Sequence, residues 1–244
     1  MKLHITGATG YLGSELVRRA PAAETERVEI RDVAAVEELL RRLRPETVIH
    51  TAYLQDGPGA REITVDGAEN VARAATAVGA RLVHLSTDVV FDGRKGTPYV
   101  EDDPLSPVTD YGRAKAEAEA RVARAHPQAL IVRTSLIYGG AEPSKHEATA
   151  REPSFTFFTN EIRNPVQAGD LAAALLELTE LDVSGPLHVA GADAVSRAEF
   201  AELITGSPVA SAPAPATRPL NCSLDSSRAQ AMIRTRLRGV REVL

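Results

Sequence analysis

Length, composition and charge narrow what this chain can be. It has 244 residues, of which 43% are hydrophobic and 25% are charged, which is ordinary globular usage and excludes a disordered chain. The length fits one large domain, or one domain that carries a smaller lobe. The net charge of -5 excludes an electrostatic binder of nucleic acid, because phosphate recognition needs clustered Lys and Arg.

The sequence predicts no membrane span, no secretory signal and no metal site. The longest apolar run in a helical pattern covers residues 171–176, whereas a spanning helix needs about 20 apolar residues. The chain begins without an apolar signal segment, and its single cysteine, Cys222, cannot form an intramolecular disulfide. The six histidines are scattered, without close ligand spacing. We therefore expect a cytoplasmic protein that binds neither a membrane nor a metal.

Strand and helix patterns alternate over the first 138 residues. Apolar residues Val36, Leu39, Leu40 and Leu43, for example, recur at helical spacing and predict a helix that stops before Pro45. The predicted strands cover residues 2–6, 27–30, 47–52, 81–86 and 129–132. The predicted helices cover residues 14–19, 33–43, 63–78 and 111–125, and Gly79 ends the third of them.

This alternation predicts the fold class. Short apolar strands that alternate with helices require right-handed crossovers, and hence an α/β fold with a doubly wound, Rossmann-like parallel sheet. After residue 138 the rhythm weakens, with helices at 171–181 and 196–204, a strand at 186–190 and proline-rich loop at 206–219. We expect residues 1–138 to form a dinucleotide-binding core. Residues 139–244 are expected to form a small C-terminal substrate lobe that returns some elements to the core.

The first strand leads into a glycine-rich turn. Gly7, Gly10 and Gly13 follow the strand and precede a helix, which is the setting of a dinucleotide fingerprint. Glycines allow a pyrophosphate close to the backbone, and the helix N-terminus offers free N–H groups. The alternative is a tight turn that binds nothing.

A tyrosine and a lysine lie four residues apart on the helix at 111–125. Tyr111 and Lys115 share one face of that helix, and a cation near a phenol lowers the phenol pKa. Ser86 and Thr87 end a central strand, where the catalytic groups of such sheets gather. The alternative is a surface helix on which the pair occurs by chance.

Several segments together resemble one family. Residues 86–93 read STDVVFDG, and the Tyr111–Lys115 pair follows them after a proline-containing loop. Residues 159–165 read TNEIRNP, and residues 218–225 read RPLNCSLD. In order and position these segments resemble the extended short-chain dehydrogenase/reductases, and within them the dTDP-4-dehydrorhamnose reductase branch. The resemblance covers most of the chain.

The resemblance implies a role for each matching residue. Tyr111 is implied as the general acid that protonates a carbonyl oxygen while a nicotinamide delivers hydride, Lys115 as its electrostatic partner, and Thr87 as a hydrogen-bond donor to the substrate. The substrate is implied to be a nucleotide-diphosphate keto-sugar. The oligomeric state is left open, with a homodimer as one alternative. The implied cofactor-binding residues are Gly7, Thr9, Gly10, Tyr11, Leu12, Gly13, Ile30, Ala52, Tyr53, Ser86, Tyr111 and Lys115. The implied substrate-binding residues are Asp88, Val89, Phe91, Arg218 and Asn221.

The chain is short where the family binds the adenosine half of the cofactor. Only residues 27–30 remain as a strand candidate between the first helix and Asp32. Glu29 and Asp32 lie near the distance of a residue that binds the ribose of NAD. Nearby arginines could instead bind the 2′-phosphate of NADP, so NADP is favoured as the cofactor and NAD is left open. These arginines are Arg18, Arg19, Arg27 and Arg31.

Two other departures affect the site. Thr64 stands where the family has an asparagine that belongs to a proton relay, and the loop at 140–153 is shorter than the family's sugar-binding region. Thr64 and the shortened adenosine side favour a regulatory, non-catalytic dinucleotide-binding protein similar to the methionine adenosyltransferase regulatory subunits, whereas the shorter loop leaves the identity of the substrate open. A redox-neutral sugar-nucleotide epimerase or dehydratase is a third alternative. The presence of Thr87, Tyr111 and Lys115 favours the reductase.

Overall fold

A five-stranded parallel sheet forms the centre of the protein, seen in a computed structural model that describes residues 1–244. In chain order the strands are β1 (Leu3–Thr6), β2 (Thr47–His50), β3 (Arg81–Thr87), β4 (Leu130–Thr134), β5 (Ile137–Tyr138), β6 (Phe157–Phe158), β7 (Ile162–Arg163), β8 (Val166–Gln167), β9 (Gly185–His188), β10 (Val195–Ser196) and β11 (Ser211–Ala212). In the central sheet β1, β2, β3, β4 and β9 lie side by side in that order, and all four pairings are parallel.

Helices cover both faces of this sheet. In chain order they are α1 (Tyr11–Arg19), α2 (Val33–Leu43), α3 (Gly67–Ala77), α4 (Asp110–Ala125), α5 (Lys145–Ala150), α6 (Ala168–Leu178), α7 (Arg197–Thr205), α8 (Ser227–Met232) and α9 (Val240–Val243). Along β3, Val83 joins the core beneath α1 and α6, whereas Leu82 joins the core beneath α2, α3 and α4. This alternation is that of a strand buried on both faces. The expected α/β fold with a doubly wound, Rossmann-like parallel sheet is confirmed.

Side-chain caps explain where several helices begin. Asp32 accepts a hydrogen bond from the Ala35 amide at the start of α2, and Thr109 accepts one from the Gly112 amide at the start of α4. Gly79 follows the last turn of α3 and has a φ of 70°. This left-handed conformation is typical of a glycine that ends a helix, as the sequence predicted for Gly79. Residues Glu62–Asp66 form a π-helical turn just before α3.

The predicted strand at 27–30 is wrong. The chain touches the free edge of β1 through one bridge, His4 to Glu24, and then leaves the sheet. Ile30 is buried against α3, and its carbonyl oxygen accepts a hydrogen bond of 2.9 Å from the Asn70 side chain. The segment therefore buries Ile30 against a helix and not within a strand. Because no strand pairs with its outer side, β1 is an edge of the sheet.

The second half of the chain contributes to both the core and a peripheral layer. β9 joins the central sheet, and α6 packs on α1. Three two-stranded sheets form the rest, pairing β5 with β8, β6 with β11, and β7 with β10. The predicted loop at 140–153 contains α5, which begins with a capping box formed by Ser144 and Glu147. No helix is both long and apolar enough to span a membrane.

Candidate active site

The glycine-rich turn joins β1 to α1 with almost no room for side chains. Gly7 has a φ of +71°, and a Cβ there would lie 2.7 Å from the Ala52 amide nitrogen. A Cβ on Gly13 would lie 2.0 Å from the Gly7 carbonyl oxygen. No side chain caps the first turn of α1. The amides at the start of this helix are thus left available to an anion, which is the arrangement expected for a pyrophosphate.

A cavity of about 650 Å³ opens beside this turn at the carboxyl ends of the strands. Its volume is within the range of small-molecule sites. It extends from α1, past the ends of β3 and β4, to residues of the second half of the chain. Among the predicted site residues its lining contains Gly10, Tyr11, Leu12, Gly13, Tyr53, Ser86, Thr87, Asp88, Val89, Tyr111, Lys115 and Arg218.

Tyr111 lies in this cavity with Thr87, at the point where β3 ends and α4 begins. Burial raises the pKa of the Tyr111 phenol well above its usual value, and the neighbouring Tyr53 and Asp88 act in the same direction, while Thr87 opposes them. The rings of Tyr53 and Tyr111 are 5.8 Å apart. The phenol is therefore protonated at neutral pH, as a proton donor must be.

Lys115 is one helical turn beyond Tyr111, on the same face of α4 and buried. Its ammonium group donates a hydrogen bond to the Leu85 carbonyl oxygen and lies 5.3 Å from the centre of the Tyr53 ring. Burial lowers the pKa of Lys115 to about 8, although Glu119 raises it. The expected lowering of the Tyr111 pKa by Lys115 does not occur, because burial of the phenol dominates and raises this pKa.

A buried ion pair supports the end of β3. The Arg133 guanidinium donates to both carboxylate oxygens of Glu119, at 2.9 to 3.1 Å, and Ser86 donates to the same carboxylate. Both charged side chains are almost fully buried, at 6% and 5% exposure. Ser86 lines the cavity, but its hydroxyl already has a partner. Its place beside the cavity is thus fixed by Glu119.

Charged side chains line the part of the cavity beyond Thr87. Asp88 is buried, accepts a 2.6 Å hydrogen bond from Ser135 and lies 3.6 Å from Arg163. Burial raises the pKa of Asp88, whereas Arg163 and Ser135 lower it. Glu161 forms an ion pair with Arg218. These contacts connect the end of β3 to β7 and to the loop before residue 221.

Two predicted substrate-binding residues, Phe91 and Asn221, do not line the cavity. Phe91 is fully buried, with its ring 4.0 Å from that of Tyr99 and 5.9 Å from that of His188. A 3-10 turn at Asp88–Val90 directs the chain into the core, which explains its position. The Asn221 side chain accepts a hydrogen bond from the Ser223 amide and does not line the cavity.

A second cavity of about 280 Å³ continues past the glycine turn on the side where the adenosine half was expected. The remaining predicted cofactor residues, Gly7, Thr9, Ile30 and Ala52, line it. Arg18 and Arg19 pair with Glu15, and Arg31 pairs with Glu29. Arg27 lines the cavity, is exposed and has no ion-pair partner, so it is the arginine of this group that is free to meet a phosphate.

Thr64 has a structural role. Its side chain is buried, donates to the Leu54 carbonyl oxygen at 2.8 Å and accepts from the Leu54 amide at 3.2 Å. It thereby fixes the loop that carries Tyr53. Sequence reasoning missed several polar and charged cavity residues, among them Ser135, Lys145, His146, Glu161, Arg163 and Arg197. Glu161 and Arg163 belong to the TNEIRNP segment, whose resemblance to the family was the one available signal.

Comparison with known proteins agrees with this geometry. The family model described as RmlD substrate binding domain matches residues 1–244. The dTDP-4-dehydrorhamnose reductase of Mycolicibacterium smegmatis is 34% identical, over 100% of this chain and 84% of that protein. The crystal structure of dTDP-4-dehydrorhamnose reductase from Bacillus anthracis in complex with NADP superposes with a TM-score of 0.88, at 27% identity, and covers 99% of this chain and 96% of the other.

A relative with a different name matches at similar length. Methionine adenosyltransferase 2 subunit beta of Bos taurus is 29% identical, over 93% of this chain and 81% of that protein. The match of the family model to the whole chain, together with the shared fold, decides the family. The chain belongs to the RmlD-like extended short-chain dehydrogenase/reductases.

Proposed function

We propose that this protein is an NAD(P)H-dependent reductase that converts the carbonyl group of a nucleotide-diphosphate keto-sugar to an alcohol. The observation that carries the proposal is the presence of Thr87, Tyr111 and Lys115 in one cavity that begins at the glycine turn. A protein that only bound a dinucleotide has no need of a phenol and a buried lysine that face one cavity from the same side of a helix. The relatives named as reductases support the same reaction class.

The glycine turn fits the pyrophosphate of a nicotinamide dinucleotide. Gly7, Gly10 and Gly13 leave the backbone open, and the uncapped amides of α1 face the anion. When bound, the nicotinamide ring supplies a hydride to the carbonyl carbon. Tyr53 and Lys115 lie beside the end of the cavity where the ring and its ribose are expected.

Tyr111 completes the reduction by giving its phenolic proton to the carbonyl oxygen. The carbon gains a hydride and the oxygen gains a proton, so an alcohol forms and a tyrosinate remains. Thr87 stabilises the developing negative charge by hydrogen bonding, and the ammonium group of Lys115 stabilises the tyrosinate. The tyrosinate then regains a proton from solvent. The raised pKa of Tyr111 keeps its phenol protonated before the reaction, so the proton is available to the carbonyl oxygen.

Substrate binding is assigned to the side of the cavity formed by residues 139–244. Asp88 and Val89 at the end of β3, and Arg218 opposite them, face this space. For the cofactor we favour NADP with NAD as the alternative, because Arg27 is unpaired on the wall of the second cavity. The NADP complex of a relative supports this assignment.

The experiment that tests the function is a titration with NADPH and, separately, with NADH, followed by a screen of keto-sugar nucleotides. The chain has no tryptophan, so cofactor fluorescence is free of energy transfer from indole. Saturable binding and substrate-dependent oxidation of NADPH support the reductase. Cofactor binding without turnover favours the regulatory alternative that the methionine adenosyltransferase relative suggests. A cofactor retained through purification without net oxidation favours an epimerase.

A further inference from the structure

The segment that follows β5 forms one wall of the main cavity. This wall, residues 139–151, includes α5, and Ser144, Lys145, His146 and Thr149 line the cavity from it. α5 packs on α7, another helix of the second half of the chain. The glycine turn and the catalytic pair, in contrast, belong to the first half, so contacts between the two halves decide how the cavity is assembled.

The side chain of Tyr11 attaches this wall to the first half of the chain. Its hydroxyl oxygen accepts a 2.7 Å hydrogen bond from the Gly140 amide and donates a 3.3 Å hydrogen bond to the Glu147 carboxylate. The Gly140 backbone lies so close that a Cβ there would be 2.9 Å from the Tyr11 hydroxyl oxygen. The only other hydrogen bond from the wall to the first half of the chain is donated by Lys145 to Gln55.

The Glu147 carboxylate extends this attachment to the start of α5. Its Oε2 atom accepts from the Tyr11 hydroxyl, from the Gly139 amide at 3.2 Å and from the Ser144 amide at 2.8 Å. Burial raises the pKa of the Tyr11 phenol and Glu147 acts in the same direction, although the Gly140 amide opposes them. The phenol therefore keeps its proton at neutral pH. A single hydroxyl group thus holds both the glycine pair that opens the wall and the first turn of α5.

Tyr11 is also the first residue of α1, whose N-terminal amides have no side-chain cap. These are the amides that the proposed function assigns to the pyrophosphate of the cofactor. A ligand that fixes the backbone of Tyr11 lowers the conformational entropy that remains to be lost when the side chain bonds to Gly140 and Glu147. Ordering the start of α1 therefore orders the wall, and by linkage the reverse also holds.

We propose that Tyr11 is a positioning residue that couples occupation of the glycine turn by a dinucleotide to the order of the wall at 139–151. This inference rests on the proposed function, because it requires a dinucleotide at that turn. Its consequence is that binding of the cofactor assembles the side of the cavity that faces the substrate. The coupling uses a side chain that takes no part in the chemical step.

Amide hydrogen exchange, measured by NMR with and without saturating NADPH, tests the coupling. In the wild-type protein, NADPH should slow exchange of the Gly139, Gly140 and Ser144 amides at least about fivefold. Tyr11→Phe keeps the backbone and the ring but loses the hydroxyl, so the slowing should fall below about twofold although NADPH still binds. Tyr138→Phe is the matched control and should keep the wild-type slowing, because Tyr138 is buried, has a hydroxyl without a hydrogen-bond partner and does not line the cavity.

A second variant separates the carboxylate from the phenol. Glu147→Gln keeps an oxygen acceptor for Tyr11 and for the amides of the wall but removes the charge. Hydrogen bonds to a charged acceptor are stronger than those to a neutral one, so NADPH should slow exchange less than in the wild-type protein and more than in Tyr11→Phe.

The outcomes separate this inference from the proposed function. Full slowing in Tyr11→Phe overturns the inference, because NADPH then covers these amides directly or acts by another route. The absence of slowing in a wild-type protein that binds NADPH also overturns it and leaves the proposed function intact. Binding of NADPH without turnover contradicts the reductase, whereas the exchange comparison still decides the coupling. Failure of the wild-type protein to bind NADPH contradicts both.

Discussion

Replacing Glu119 by glutamine should destabilise the protein more than the loss of any surface ion pair. The carboxylate accepts from the Nε and Nη2 atoms of Arg133 and from Ser86, and both members of the pair are nearly inaccessible to solvent. Removing one charge leaves Arg133 buried without a counterion. Breaking a buried pair in this way typically costs about 3–5 kcal/mol.

The effect can be measured by urea denaturation followed by circular dichroism. With an m-value of about 3 kcal/mol per molar urea, the expected loss lowers the midpoint by roughly 1–1.7 M. The double variant Glu119→Leu, Arg133→Met removes both charges and should recover much of the stability. Glu242→Gln breaks an exposed pair with Arg236 and should leave the midpoint nearly unchanged.

A loss of less than about 1 kcal/mol in Glu119→Gln would contradict the role assigned to this pair. It would mean that Arg133 is solvated or finds another acceptor when Glu119 is neutral. Recovery in the double variant is the sharper result, because it separates the penalty of an orphaned charge from the loss of packing. A double variant less stable than Glu119→Gln would show that the polar contacts themselves stabilise the end of β3.

Four further predictions concern the site. Tyr111→Phe should abolish hydride transfer while NADPH affinity, measured by fluorescence, changes little, and unchanged turnover would remove the phenol from the mechanism. The pKa of Lys115 is lowered to about 8, so its positive charge is present below that pH and is lost above it. Since this charge stabilises the tyrosinate, kcat/KM should fall as pH rises through about 8, and a flat profile up to about pH 10 would contradict this role. Arg27→Ala should raise the Kd for NADPH but not for NADH, and an equal effect on both would exclude 2′-phosphate recognition. Gly13→Ala should prevent stable folding, since its Cβ would lie 2.0 Å from a carbonyl oxygen. Gly79→Ala meets no neighbouring atom, so thermal melts should show only the cost of its left-handed φ of 70°, about 1–2 kcal/mol.

The parts of the site that the sequence predicts are those that depend on local spacing. Gly7, Gly10 and Gly13 follow a strand directly, and Tyr111 and Lys115 are one helical turn apart, so the secondary structure alone brings them together. Sequence reasoning did not find residues whose position depends on tertiary packing. Arg197 and His146 are far apart in sequence and meet only because α5 and α7 pack together. Phe91 is only two residues beyond Val89, which lines the cavity, yet a single turn of 3-10 helix directs it into the core.

The shortened adenosine side bears on whether this chain binds a dinucleotide at all. No strand pairs with the outer edge of β1, but the segment beside it lines the second cavity. Ile30 packs against Gly67 of α3, and the Asn70 side chain donates a hydrogen bond to the Ile30 carbonyl oxygen. The segment therefore forms a wall of the cavity without belonging to the sheet. Arg27, on that wall, is exposed and unpaired, although Arg31 nearby is paired with Glu29. An unpaired arginine on this wall can meet the 2′-phosphate of NADP, which supports the proposed preference for NADP over NAD.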